Sequence, residues 1–142
     1  MEKLLANIPG FLGVFDDLSI PKVDGDKRQG LIFGIHAVPK GQSGSAKHWT
    51  ALFYSPEEGS FYFDPYGAPP SQEVERLMKK LPGPDYYSNV WVQPLESVAC
   101  GWFCVGFIRQ MFSGMKPEEF LYSFDPNASE KNNDLAKQYA LN

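Results

Sequence analysis

The longest uninterrupted apolar run, Val98 to Ile108, places the strongest constraint on how this chain can fold. The run is too short to cross a bilayer, which needs about 20 apolar residues. Its helical pattern continues to about Phe112 and stays apolar on every side until Arg109. A helix that is apolar all round has to be buried. We therefore expect a central helix that other elements cover, and no membrane association.

A series of short β-rich segments predicts a small sheet beside this helix. Trp49–Ser55 and Ser60–Asp64 are separated by Pro56–Gly59, whose residues favour a turn, so the two segments are predicted to form a hairpin. Further strands are predicted at Leu31–Val38 and Tyr86–Val92. Together they supply one layer against which the buried helix can pack.

The remaining segments complete a single domain over residues 1–142. Helices are predicted at Glu2–Asn7 and 71–80, and two short ones are predicted to begin at Pro117 and Ser129. Residues Phe11 to Gly30 mix Gly, Pro and Asp and are predicted to form an irregular arm. With 142 residues, 43% of them hydrophobic, the chain fits one α+β domain with a small central mixed sheet flanked by helices.

A candidate nucleophile lies at the start of the predicted buried helix. Cys100 falls in its first turn, where free amides and the helix dipole can lower a thiol pKa from about 8.5 to roughly 3.5–7.5. The following Gly101 has no side chain, which lets a substrate backbone approach the sulfur. Cys104 lies one turn further along and is interpreted as a small buried apolar residue. Of the two cysteines, Cys100 is therefore the candidate for chemistry.

A thiolate nucleophile needs an imidazole base, and the base needs a group that orients it. His48 precedes the first strand of the predicted hairpin, and Asp64 ends the second strand. Antiparallel pairing would bring both residues to the same edge of the sheet. His36 lies inside an apolar strand and is interpreted as a core histidine. We therefore expect a His48–Asp64 pair.

Gln93 is the fourth candidate, seven residues before Cys100. Acyl transfer needs hydrogen-bond donors aimed at the developing oxyanion. The side-chain amide of Gln93 and the backbone N–H of Cys100 would supply two donors. The spacing of the cysteines and histidines does not match that of zinc sites, and no Gly-rich phosphate loop is present, so no metal or cofactor is expected.

Four motifs in this order resemble adenain, the adenovirus maturation cysteine protease, and its relatives in Polinton/Maverick elements and virophages. They are His48-Trp49, Phe63-Asp64-Pro65-Tyr66-Gly67, Gln93-Pro94-Leu95-Glu96-Ser97 and Ala99-Cys100-Gly101-Trp102-Phe103-Cys104. The resemblance implies a papain-like fold of the adenain and SUMO-protease type, with the nucleophile at the N-terminus of the buried helix. It assigns Cys100 as nucleophile, His48 as base, Asp64 as its orienting partner and Gln93 to the oxyanion hole. Trp49, Gly101 and Trp102 are the residues expected to contact substrate.

The resemblance also implies a biological setting. Its members cleave viral capsid and core precursor proteins at small, glycine-containing sites during virion maturation. Such an enzyme acts inside the host cell, in the nucleus or a cytoplasmic virus factory, and inside the virion. Adenovirus enzymes are activated by a disulfide-linked peptide and by DNA. Here Leu81–Val92 contains no cysteine, and the net charge of −4 argues against DNA binding, while an activating peptide stays open.

Two other functions remain open at this stage. SUMO-type proteases share the order His-Trp, Asp, Gln, Cys-Gly, which makes a ubiquitin-like-protein deconjugase the first alternative. Their Gln-to-Cys interval is usually one residue shorter, and Asp commonly precedes the cysteine where this chain has Ala99. The second alternative is a binding module that keeps the fold without catalysis, against which the intact Cys100, His48 and Asp64 argue.

Overall fold

The computed structural model describes residues 2–16, 19–36, 47–94 and 100–142, with the backbone alone described at 2, 35, 36, 47 and 100. Five strands form one mixed sheet in sequence order. They are β1 (Phe11–Asp16), β2 (Gln29–His36), β3 (Lys47–Ser55), β4 (Gly59–Phe63) and β5 (Asp85–Tyr87). The helices are α1 (Glu2–Leu5), α2 (Gln72–Lys80), α3 (Cys100–Phe112), α4 (Pro117–Tyr122) and α5 (Lys131–Leu141). The β2–β3 and β3–β4 pairs are antiparallel, and β1 and β5 join the edges in parallel.

Alternation along the strands builds a core on each face of the sheet. In β3, Ala51 and Phe53 belong to one apolar cluster and Leu52 to the other. Successive side chains of a strand point to opposite faces, so a continuously apolar strand buries both. The larger cluster holds residues of α3, α4 and α5, and the smaller one is covered by Val74, Leu77 and Met78 of α2. The sheet is therefore the middle layer of three.

The predicted buried helix is confirmed as α3. Phe103, Val105, Phe107 and Ile108 are fully buried, and a long series of α3 residues packs against α5 and β3. At Gly106 an added Cβ would lie 3.0 Å from the Ala136 carbonyl oxygen, so the missing side chain lets α5 approach closely. The helix begins at Cys100, and the predicted start at Val98 lies outside the described residues.

The first and last strands of the sheet differ most from the sequence-based predictions. The predicted irregular arm is wrong at its beginning, because β1 pairs in parallel with β2. The register of β1 against β2 shifts between Phe11 and Gly13, and Gly13 has a φ of 131°. Because of this irregularity, the residues of β1 do not show the regular apolar alternation of a strand. The last strand is shorter than predicted and ends at Tyr87. After it the chain leaves the sheet, since the amides of Val92 and Gln93 bond instead to the carbonyl of Pro65.

Among the described helices, none has the length and apolar character needed to span a membrane.

Candidate active site

A buried histidine–carboxylate pair lies where β3 begins and β4 ends. His48 Nε2 lies 2.7 Å from Asp64 Oδ1, and their side chains are 13% and 4% exposed. Because β3 and β4 are antiparallel, the hairpin brings these two residues to the same end of the sheet. An ionised carboxylate accepts hydrogen bonds, so Nε2 carries the proton that Asp64 binds. Nδ1 is then the ring nitrogen that can exchange a proton with a reacting group.

A tight turn holds the carboxylate of Asp64. The amide of Tyr66 donates to Asp64 Oδ1 at 2.8 Å, and the amide of Gly67 donates to the Asp64 carbonyl at 2.8 Å. Asp begins such turns well because its side chain can bind the backbone two residues on, and Pro65 fixes φ at the next position. Gly67 has a φ of 77°, a conformation that favours glycine. The residues of Asp64–Gly67 therefore favour the tight turn that this segment forms.

The same turn also holds the segment that carries Gln93. The Pro65 carbonyl accepts from the amide of Val92 at 2.9 Å and from the amide of Gln93 at 3.1 Å. From the other side, Asn132 Nδ2 of α5 donates to the Val92 carbonyl at 2.8 Å. Gln93 is 1% exposed and Asn132 is 2% exposed. Four consecutive turn residues thus fix the positions of both the His48–Asp64 pair and the Gln93 backbone.

Two aromatic rings lie between these two groups. Tyr66 stacks on the imidazole of His48 with 5.0 Å between ring centroids and 24° between planes. Trp91 meets Tyr66 edge to face at 5.7 Å and 86°. The indole N–H of Trp91 donates to the Gln93 carbonyl at 2.5 Å. A chain of contacts therefore runs from the imidazole to the residue predicted for the oxyanion hole.

The residue predicted as nucleophile begins the helix that packs on this sheet. Cys100 is the first residue of α3, while its side chain lies outside the described part of the structure. The residues that precede it, 95–99, also lie outside the described part. Cys104 is fully buried one turn later, within the larger apolar cluster. Its burial fits the structural role predicted from the sequence.

The three residues predicted to contact substrate lie in different surroundings. Trp49 packs across Gly34 of the neighbouring strand, where an added Cβ would be 2.8 Å from the indole Cζ3. Trp102 packs toward α5, with Lys137 Nζ 5.5 Å from the centre of its ring. Gly101 is half-buried in the first turn of α3. Packing against the protein accounts for the placement of both tryptophan rings.

His36 lies on β2 and pairs with Lys47, while its side chain and residues 37–46 lie outside the described part of the structure. Among the residues that the structure describes, no three His, Cys, Asp or Glu side chains are close enough together to hold a metal ion.

A separate cleft of about 950 Å³ opens at the opposite end of the sheet. It lies between the β3–β4 turn, the start of β5 and the segment that joins α3 to α4. Its lining includes Arg28, Phe53, Glu58, Tyr86, Met111 and Lys116. The described residues that line it include none of those predicted for catalysis.

Sequence reasoning missed Trp91 and Asn132 as parts of the site. Trp91 precedes the predicted Gln93 by two residues, and this nearness to a candidate site residue is the sequence signal that could have found it. The structure adds that Trp91 is 46% exposed. Asn132 lies 40 residues from Val92 in the chain, and nothing in its local sequence indicates the contact.

The mixed sheet with helices on both faces defines an α+β fold. Neither a protein-family model nor a curated protein matches the sequence. The three-dimensional structure is similar to two crystal structures of the ASFV pS273R protease, one of them in selenomethionine form, with TM-scores of 0.64 and 0.61. Identity is 15% in both, and the match covers 98% of this chain and 62% of the other. The chain thus spans less than two thirds of the protease that it matches, and the comparison confirms the predicted fold class.

Proposed function

We propose that this chain is a cysteine endopeptidase in which Cys100 is the nucleophile and His48 the base. The observation that carries the proposal is the buried His48–Asp64 pair, which shares one tight turn with the segment of Gln93. A pair of this kind is what a thiol nucleophile needs to exchange its proton. The similarity to a viral protease in overall fold supports the same reaction class.

The reaction follows from the groups at this end of the sheet. The Cys100 thiolate attacks the peptide carbonyl carbon, a C–S bond forms, and the π electrons move to oxygen. The Gln93 amide and the Cys100 N–H would stabilise that oxyanion. When the intermediate collapses, the C–N bond breaks and the leaving amine takes a proton from the His48 imidazolium. Water then gives a proton to His48 and its oxygen to the thioester, which releases the acid and restores the ion pair.

Asp64 contributes orientation and charge in this scheme. Its carboxylate binds Nε2, which leaves Nδ1 as the atom that faces the proton transfers. It also stabilises the imidazolium that exists in the resting ion pair and again after each proton transfer to the ring. Because Asp64 accepts a second hydrogen bond from the Tyr66 amide, its buried charge is satisfied without a further partner.

For the substrate, we propose viral precursor polypeptides cleaved at small, glycine-containing sites during virion maturation, as in adenain-type enzymes. The four ordered motifs from His48 to Cys104 support this finer assignment. We expect the enzyme to act inside the infected cell and the virion, without a metal or organic cofactor. The net charge of −4 supports activity that does not depend on DNA.

The test is hydrolysis of a panel of fluorogenic peptides with Gly at or beside the cleaved bond, alongside ubiquitin-like proteins carrying a C-terminal fluorophore. We expect cleavage of the peptides, loss of all activity in Cys100→Ala and substantial activity in Cys104→Ala. Mass spectrometry after iodoacetamide treatment should find label on Cys100. Label on Cys104 with Cys100 spared would refute the assignment, and selective turnover of a ubiquitin-like protein would favour the deconjugase.

A further inference from the structure

We propose that Tyr66 and Trp91 form an aromatic brace that positions His48 and couples it to the segment of Gln93. The inference rests on the proposed function and deepens it. Neither residue touches the reacting atoms in this scheme, so both are positioning residues. The brace is defined by the stacked contact of Tyr66 with His48, the edge contact of Trp91 with Tyr66, and the bond from Trp91 to the Gln93 carbonyl.

The stacked contact constrains how the imidazole can move. His48 has to keep Nε2 on Asp64 while Nδ1 takes and returns a proton. The Tyr66 ring lies nearly parallel to one face of the imidazole, with centroids 5.0 Å apart. Rotation of the imidazole about its Cβ–Cγ bond would drive the ring into that face. Tyr66 therefore opposes a rotation that would break the bond to Asp64.

The Tyr66 backbone and side chain act on the two members of the pair at once. Its amide donates to Asp64 Oδ1, the same oxygen that binds His48 Nε2. Its ring presents a π face to the imidazole, which favours the charged form of the histidine. The ring also covers one face of the imidazole, whose side chain is 13% exposed. One residue thus fixes the geometry of the carboxylate and favours the imidazolium.

Trp91 extends this arrangement to the oxyanion side. An ordinary core tryptophan is buried, but 46% of Trp91 is exposed, so burial alone does not explain its position. Its ring edge contacts Tyr66, and its indole N–H donates to the Gln93 carbonyl. A displacement of His48 and Tyr66 would therefore be transmitted to the Gln93 backbone. Catalysis requires the imidazole and the Gln93 amide to keep their relative positions, since a misplacement of about 1 Å can lower the rate roughly 100-fold.

The experiment compares Tyr66→Leu, Tyr66→Phe and Trp91→Phe in the full chain. We expect Tyr66→Leu to lower kcat by about 10-fold to 100-fold with little change in KM, because orientation is lost and not binding. Tyr66→Phe keeps the ring and should retain most of kcat. Trp91→Phe keeps a ring edge but loses the N–H donor, so we expect a smaller loss. Tyr87→Leu is the matched control, since Tyr87 is 52% exposed on β5.

Two further measurements separate positioning from a loss of structure. The alkaline limb of the kcat/KM profile should move to lower pH in Tyr66→Leu, because the imidazolium loses the ring face that favours its charge. In NMR spectra, the indole N–H of Trp91, assigned by its loss in Trp91→Phe, should exchange faster with solvent in Tyr66→Leu. Thermal unfolding of each variant checks that the fold is intact.

The outcomes distinguish this inference from the proposed function. An inactive wild-type protein whose Trp91 and His48 resonances still respond to Tyr66→Leu would refute the peptidase and support the brace. An active wild-type protein whose kcat, pH profile and indole exchange are unchanged in Tyr66→Leu would overturn the brace. A Tyr66→Phe variant as impaired as Tyr66→Leu would also overturn it, because the hydroxyl and not the stacked ring would then matter.

Discussion

The two ends of helix α3 differ in what surrounds them. Phe107 of α3 stacks on Phe63 and Phe112 meets Phe53, so the N-terminal end of α3 is directed toward the end of the sheet that carries the His48–Asp64 pair. The tight Asp64–Gly67 turn, the Tyr66 ring stacked on His48 and the Trp91 ring edge on Tyr66 lie at that same end. At its C-terminal end, Arg28 donates to the Met111 carbonyl at 3.0 Å, and the wide cleft opens beside it. Of the charged residues that line the cleft, Lys116 and Glu58 form an ion pair at the surface.

The difference shows that the wide cleft and the candidate catalytic residues lie at different ends of the molecule. A large cleft is the usual first place to look for a site. Here no buried base is found among the described residues that line the cleft, whereas at the other end two donors satisfy a buried carboxylate. Burying an ionised group is costly unless its partners are supplied, so such a pair indicates that the charge has a use. The polarity of α3 agrees, since its N-terminus favours an anion and its C-terminus a cation.

Among the substitutions that test this comparison, removal of the base should have the largest effect on kcat. We expect His48→Ala to lower kcat by about 10²–10⁴-fold, the contribution typical of a general base. His36→Ala is the matched histidine control and should act mainly on thermal stability. Steady-state kinetics on both variants, with circular dichroism as the folding check, gives the comparison. Equal losses of kcat in two folded variants would contradict the assignment of His48.

A substitution beside the cleft should lower the stability of the fold and leave kcat unchanged. Gly59 has a φ of 89°, and an added Cβ would lie 2.2 Å from the Pro84 carbonyl oxygen. We expect Gly59→Ala to reduce the free energy of unfolding by about 1–3 kcal/mol from backbone strain, with a further loss from the clash. At temperatures where the variant is folded, kcat should be unchanged. Urea unfolding and kinetics on the same preparation measure both quantities.

Gly114 provides the control for this substitution. It has a φ of 98° at the same end of the molecule, and an added Cβ would meet nothing within 4 Å. Gly114→Ala therefore carries the conformational cost without the clash, and the difference between the two variants isolates the contact with Pro84. If kcat fell tenfold in folded Gly59→Ala, the two ends would be coupled and the comparison would fail.

Local sequence signals account for the parts of the fold that were predicted correctly. Turn residues between Ser55 and Gly59 define the β3–β4 hairpin, and Ser71 caps α2 by accepting from the Val74 amide at 3.3 Å. The apolar run predicts the burial of α3. The sequence does not predict strand β1, because its pairing with β2 is parallel and irregular near Gly13. Neither a hairpin turn nor a regular alternation of apolar and polar residues indicates it.

In the candidate site, too, some contacts follow from the local sequence and others do not. The positions of His48 and Asp64 follow from the hairpin, because antiparallel pairing alone brings them to one end. The hydrogen bond from Asn132 to Val92 and the edge contact of Trp91 with Tyr66 depend on how distant segments pack. No periodicity or local motif encodes such contacts. The sequence therefore predicts the pair, and the structure adds what holds it.

The smallest expected effect concerns Arg28, which binds the last carbonyls of α3. Its guanidinium donates to Met111 and lies 5.6 Å from the ring centre of Phe53 and 5.7 Å from that of Phe112. We expect Arg28→Ala to reduce the free energy of unfolding by about 1 kcal/mol, through the loss of a cation at a helix C-terminus and its aromatic contacts. Lys27→Ala is the control, since Lys27 is a 74% exposed neighbour whose nearest carboxylate is 3.9 Å away.

Arg28→Ala should leave the reactivity of the cysteine unchanged. Twelve residue steps of α3 separate its two ends by about 18 Å. This exceeds the Debye length of about 8 Å at physiological ionic strength, so the charge of Arg28 is largely screened at the other end. The measurement is the rate of iodoacetamide alkylation as a function of pH in wild type, Arg28→Ala and Lys27→Ala. Three superimposable profiles would establish that the ends act independently, whereas a displaced profile in Arg28→Ala alone would show that α3 transmits charge from the cleft to the candidate active site.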